Sequence, residues 1–221
     1  MTAYFANSTA RKHRLPILFV LMFAPLVFLY PQAGTATTHA PLTKEAIIKQ
    51  VQIFHQTLRA AMEKADELGV TGRFQLIKPV FEKTFNSNLM ARIVVGIKWR
   101  KFSPDQRQRF TKIFKTGNIA TYARRFDGYS GQSFKTLGTR PGPRKTMLID
   151  TVLINPDDDD VKLTYVAKRI GKEWWIIDVL LASGISELAV KRSEYSRIVK
   201  TKGLDALSEI LSSKSRLDKT E

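Results

Sequence analysis

The sequence predicts an α+β fold: a four-stranded antiparallel sheet packed against a helical half and closing C-terminal helices, with an apolar cavity between the layers. Three observations carry this expectation. Apolar residues recur at steps of three and four from Leu42 to Phe126. Between Gln132 and Leu180 the pattern changes to short alternating runs separated by Gly, Pro and Asp-rich turns. Helical spacing then returns from Ser186. Strands so close in sequence leave no room for a crossover helix and must pair antiparallel.

The first forty residues stand apart. Arg11, Lys12 and Arg14 precede an uncharged apolar run, Leu15 to Tyr30, and small residues follow with cleavage expected after Ala33, Ala36 or Ala40. That order reads as a cleavable secretory signal, which makes export to the periplasm the expected destination. An uncleaved anchor is the alternative, but the run is short against the roughly 20 apolar residues of a span and contains Pro16 and Pro25. The expected organisation is therefore a signal over residues 1–40, one domain over 41–213 and a polar tail over 214–221.

The next element is a helix from Leu42 to Leu68, with Ile47, Val51, Phe54, Leu58 and Met62 on one face, Thr43 as its N-cap and Gly69 as its end. Gly69 and Gly72 read as a turn. Pro79 is expected to open a second helical segment carrying Phe81, Phe85, Leu89, Ile93 and Ile97, divided around Asn86-Ser87-Asn88. Ser103-Pro104-Asp105-Gln106 combines an N-cap, a proline at the first helical position and a capping box. The helix it starts turns Phe110, Phe114, Tyr122 and Phe126 inward.

Strands are expected over Gln132–Leu137, Thr146–Ile154, Val161–Arg169 and Trp174–Leu180. In the third, Val161, Leu163, Tyr165 and Ala167 form a dry face opposite Lys162, Thr164, Val166 and Lys168. A sheet covered on one side shows this alternation. Asn155-Pro156 with Asp157 to Asp160 reads as a solvated hairpin turn, because the spacing lacks the glycine and distal glutamate of a calcium loop. Two closing helices carry Leu188, Tyr195, Ile198 and Val199, then Leu204, Leu207 and Leu211 beyond Gly203.

The chemistry is bounded by what is scarce. There is no cysteine, and of three histidines, His13, His39 and His55, only His55 lies outside the signal region. The usual materials of nucleophilic, general-base and zinc chemistry are thus missing, so no catalytic residue, metal or cofactor is expected. His55 falls off the main apolar face of its helix and is expected to be exposed or half-buried. Asp178 is expected to serve as a turn or cap acceptor. Removing Arg11, Lys12 and Arg14 leaves 33 basic against 20 acidic side chains, a net +13. The basic residues are dispersed as pairs such as Arg124-Arg125 and Lys191-Arg192, without the stripe a nucleic-acid partner requires. An anionic membrane surface or an acidic protein partner fits better.

The motifs then fall into a known order. Trp174-(x)3-Asp178, Ser183-Gly184-Ile185-Ser186, Tyr195-Ser196-Arg197-Ile198-Val199 and Lys202-Gly203-Leu204-Asp205-Ala206-Leu207 resemble the MlaC, or toluene-tolerance, family. Phe102-Ser103-Pro104-(x)2-Gln106-Arg107 and Phe126-Asp127-Gly128-Tyr129 fit the same family's helical half. Ile185-Ser186-Glu187-Leu188-Ala189 is more similar to the hopanoid-associated HpnM branch. The resemblance implies a periplasmic auxiliary protein of an ABC transport system, which carries a phospholipid or hopanoid between an outer-membrane lipoprotein complex and an inner-membrane MCE-domain protein. The expected lipid-binding wall comes from the helical half (Phe81, Phe85, Ile93, Ile97, Trp99, Phe110, Phe114, Tyr122, Phe126) and the sheet (Ile149, Leu153, Leu163, Tyr165, Trp174, Ile176). Two rival readings remain at this stage. One is an enzyme of lipid or hopanoid metabolism with a cone-shaped pocket, which would need a pair of buried carboxylates or His55 pointing into the cavity. The other is an adaptor with a solid core.

Overall fold

The computed structural model describes residues 43–181 and 184–217. The expected signal segment and its cleavage sites lie outside them.

Helix α1, Lys44–Glu63, begins where the sequence places it: the Ala46 amide donates to Thr43 Oγ1 at 3.2 Å. Helix α2, Ala65–Thr84, differs from expectation. Its break is at Gly69 (φ 55°, ψ −177°), and the chain is helical through Gly72, Phe74 and Pro79. Pro79 thus lies inside a helix rather than opening one. Its cost of about 3 kcal/mol is outweighed because Ile77 and Phe81 on either side are anchored in the core. Arg73, also buried, donates from Nε to the Ala123 carbonyl and from Nη1 to that of Ala65, both at 2.8 Å, and so ties this helix to the chain around Ala123.

Helix α3, Ser87–Val95, is capped by Asn86 Oδ1 on the Leu89 amide. Its entry is pinned to the sheet by the Asn86 amide, which donates to the Ile176 carbonyl at 3.0 Å. Gly96 (φ 70°) ends it, and a 3-10 segment Gly96–Lys101 follows. Helix α4, Pro104–Arg125, carries both bonds of the expected capping box.

The sheet has five strands rather than four, in the order β1-β2-β3-β4-β5, every neighbouring pair antiparallel. Strand β1, Ser133–Gly142, runs longer than predicted by passing through an irregularity at Thr136/Gly138. The strands β2, Thr146–Ile154, β3, Val161–Ile170, and β4, Glu173–Leu181, fall close to expectation. The additional β5 is only Ile185–Ser186, two residues that no periodicity could reveal. Helix α5, Glu187–Lys214, bends at Gly203 (φ 85°), giving the two closing halves.

Met147, Ile149, Leu163, Tyr165, Ala167, Ile176 and Val179 present the dry face and join one buried cluster with residues of all five helices. Phe54 sits at the centre, its ring centroid 6.3 Å from Phe81 and 5.1 Å from both Phe85 and Tyr122. Phe81 and Phe85 stack at 4.3 Å. This is one continuous aromatic core.

Candidate functional site

The sequence places an apolar cavity on the dry face, but that face is filled. Of the expected lining, Phe81, Phe85, Trp99, Phe110, Phe114, Ile149, Leu163, Tyr165 and Ile176 are buried in the core, and Ile93, Tyr122, Phe126, Leu153 and Trp174 pack against it half-buried. The space left among Phe81, Phe85, Met90 and Tyr122 is a slit of about 10 Å3. Ile97 must be corrected outright: it is 88% exposed. Gly96 turns the chain left-handed before it, so the helical register is lost and Trp99 takes the inward position.

The open apolar space lies on the other face of the sheet. A groove of about 520 Å3 has Leu148, Val166, Ile177 and Leu180 as its floor, Leu89 and Ile93 of α3 on one wall, and Leu188 and Ala189 of α5 on the other. A bulge creates part of that floor. Val166 pairs with Asp178 and Ala167 with Ile176, so Ile177 is the extra residue, and both Ile177 and Asp178 are turned to the groove. Of the residues expected to hold a ligand, only Ile93 lines this groove. Val166 is an apolar residue flanked by Thr164 and Lys168 on β3's polar face, which is the one signal the sequence offers for it.

Arg144, Lys168 and Arg192 stand at the rim. Arg144 and Lys145 occupy the corner between β1 and β2 with φ of 54° and 59°, left-handed values uncommon for side chains with a Cβ. The corner is fixed by Thr146 Oγ1, which donates to the Pro143 carbonyl at 2.7 Å.

Asp178 joins the sheet to α5. Its carboxylate accepts from Ser186 Oγ, from the Leu188 amide at 3.1 Å and from the Val179 amide at 2.8 Å. It is the cap acceptor the sequence anticipated. Burial pushes its carboxyl up, and the hydrogen bonds offset this only in part. For the neighbouring Glu187, burial acts in the same direction, but Lys191 and Arg125 outweigh it and hold the carboxyl low. Asp178 and Leu188 line both the groove and the slit, so these two side chains separate open apolar space from the aromatic core.

The groove offers binding contacts rather than reaction chemistry. Both Asp178 oxygens are engaged, and Ser186 Oγ also accepts from the Ala189 amide at 2.9 Å. His55 is another correction. It is buried on the dry-face side, stacked on Phe134 at 4.2 Å and bonded to Tyr165, because the neighbours of α1 extend beyond its main apolar stripe. A larger cleft of about 730 Å3 beside Trp99 and Trp175 carries Glu82, Arg107, Gln108, Thr111, Lys112 and Lys115, and is therefore wet.

Two comparisons bear on this geometry. The family model described as MlaC protein matches residues 52–213. A phospholipid-binding protein from Ralstonia solanacearum, solved in complex with a phospholipid, superposes with a TM-score of 0.67 over 81% of this chain and 100% of its own. The two sequences are 19% identical, so this likeness shows a shared fold.

Proposed function

The chain belongs to the MlaC family, and from that premise we propose that it is a periplasmic lipid carrier rather than an enzyme. The open apolar groove is the observation that carries this reading. Its volume of about 520 Å3 lies within the roughly 300–1,000 Å3 typical of ligand pockets. Its floor is aliphatic apart from the capped Asp178, and its basic side chains stand at the rim, which suits an acyl chain below and a polar head above. The bound Ralstonia neighbour supports the same ligand class.

The acyl chain lies along Leu148, Val166, Ile177 and Leu180. Each methylene removed from water contributes about 0.8 kcal/mol, which makes an uncovered chain costly and a covered one portable. Longer chains extend past Asp178 and Leu188 toward Phe81, Phe85 and Tyr122, where the expected aromatic wall begins. In this reading residues 1–40 are an export signal, 41–213 one lipid-binding domain and 214–221 a polar tail. The cargo is a phospholipid or hopanoid-type lipid, moved between an outer-membrane lipoprotein complex and an MCE-domain protein of the inner membrane. Docking draws on the basic surface and weakens with salt.

Native mass spectrometry of gently purified protein, followed by solvent extraction, tests the reading. Lipid should accompany the protein in a fixed ratio. A chain that emerges bare and takes up none from vesicles overturns it.

A further inference from the structure

We propose that the groove selects lipids with a negatively charged headgroup, and that Arg144, Lys168 and Arg192 make the selection. This deepens the lipid-carrier reading and rests on it. Among the described residues seven ion pairs form, and none of the three cations takes part in one. The single acidic side chain in the lining is Asp178, and its oxygens are already occupied by Ser186, Val179 and Leu188. The groove therefore presents three uncompensated cations above an aliphatic floor.

Their placement is built rather than incidental. Arg144 is held at the left-handed corner, and Lys168 Nζ donates to its carbonyl at 3.4 Å. Lys168 pairs in register with Thr146, which puts it at the same end of the sheet as that corner. Arg192 arrives from α5 and lies against Gly96, where an added Cβ would meet Nη2 at 3.4 Å. A backbone held in a sparsely populated conformation at the edge of a cavity is where a functional constraint is expected.

Guanidinium groups pair with phosphate oxygens in a forked, two-bond geometry, and a lysine adds a point charge. A phosphodiester whose head is otherwise uncharged brings one net negative charge, with two free oxygens to share among the three cations. A choline or ethanolamine head brings its own ammonium among them, and an uncharged polyhydroxylated lipid supplies no anion. Because the rim is solvated, each contact is modest, and together they are worth about tenfold in affinity.

Soluble short-chain lipids separate this selection from the attraction of a basic protein to charged vesicles. Dihexanoyl phosphatidylglycerol should bind about tenfold more tightly than dihexanoyl phosphatidylcholine, measured by calorimetry on the purified protein. The triple variant Arg144→Gln, Lys168→Gln, Arg192→Gln should bind both equally, and the single variant Arg192→Gln should narrow the gap. Lys112→Gln with Lys172→Gln, which removes the same kind of charge away from the groove, should leave the preference intact. Glycerol phosphate, which has the anion without tails, should bind far more weakly. Equal binding of both lipids by the unaltered protein, a preference that survives the triple variant, or glycerol phosphate binding as tightly as the lipid would each overturn the selection while leaving the carrier reading standing. Failure to bind either lipid would remove the carrier reading with it.

Discussion

His55 and Tyr165, 110 residues apart in the chain, share a 2.9 Å hydrogen bond between Nε2 and the phenol oxygen, buried between α1 and β3. Phe134 stacks on the imidazole from β1, so the pair joins the first helix to the sheet inside a nearly apolar shell. A polar bond in such surroundings specifies register as well as adding stability, because either partner alone would be left unsatisfied.

Burial holds the His55 imidazolium down, with a pKa of about 4 against 6.5 in an unfolded chain. The folded protein keeps this side chain neutral, while the unfolded chain takes up a proton below pH 6.5. Stability from this residue is therefore complete above pH 6.5 and is lost as pH falls toward 4, by about 3 kcal/mol in total. Urea unfolding at pH 7, 5.5 and 4 should show this relative to His55→Phe, whose deficit should shrink as the solution is acidified. A difference between the two proteins that stays constant with pH would contradict it.

The two faces of the sheet should respond oppositely to added bulk. Ile149 is enclosed on the dry face, so Ile149→Phe should cost about 1–3 kcal/mol through overpacking. Val166 faces open groove, and Val166→Trp should cost under about 1 kcal/mol because the ring enters existing space. The same Val166→Trp protein should carry much less lipid after purification. Thermal unfolding and lipid extraction on both variants read the two effects separately.

Those faces also mark how far the sequence could be read. Helix starts at Thr43 and Ser103 depend on local capping chemistry, and the alternation of β3 names its two sides directly, so these were legible. The groove was not. Its floor draws Leu148, Val166 and Ile177 from three strands, and Ile177 reaches it only through a bulge that shifts register by one residue. No single strand shows that arrangement. The aromatic residues were correctly placed inside, but composition says nothing of whether an interior is hollow, and close packing leaves few voids by default. Ile97 and Pro79 failed for a related reason: Gly96 reset the helical phase in one case, and burial of the flanking turns overrode a breaker in the other.

Gly69 and Gly203 give a backbone-only test. Both combine positive φ with ψ near 180°, a region that side chains with a Cβ hardly populate, and no heavy atom lies within 4 Å of an added Cβ at either. Gly69→Ala and Gly203→Ala should each destabilise the fold by about 1–3 kcal/mol with no change in lipid contacts. Denaturant titration gives the loss directly. A neutral or stabilising substitution at either position would show that the helix there can run straight.

Asp178 makes the most informative substitution, because it serves the fold and borders the groove at once. Asp178→Ala leaves the Ser186 hydroxyl and the Leu188 amide without an acceptor at the start of α5, which should cost about 1–3 kcal/mol. It also removes one of the two side chains between the groove and the slit among Phe81, Phe85 and Tyr122. If acyl chains pass that boundary, the variant should exchange lipid with vesicles faster than the unaltered protein, despite being less stable. Gly69→Ala provides the control, being destabilised to a similar extent far from the boundary. Equal exchange rates in the two variants would mean that Asp178 only caps the helix.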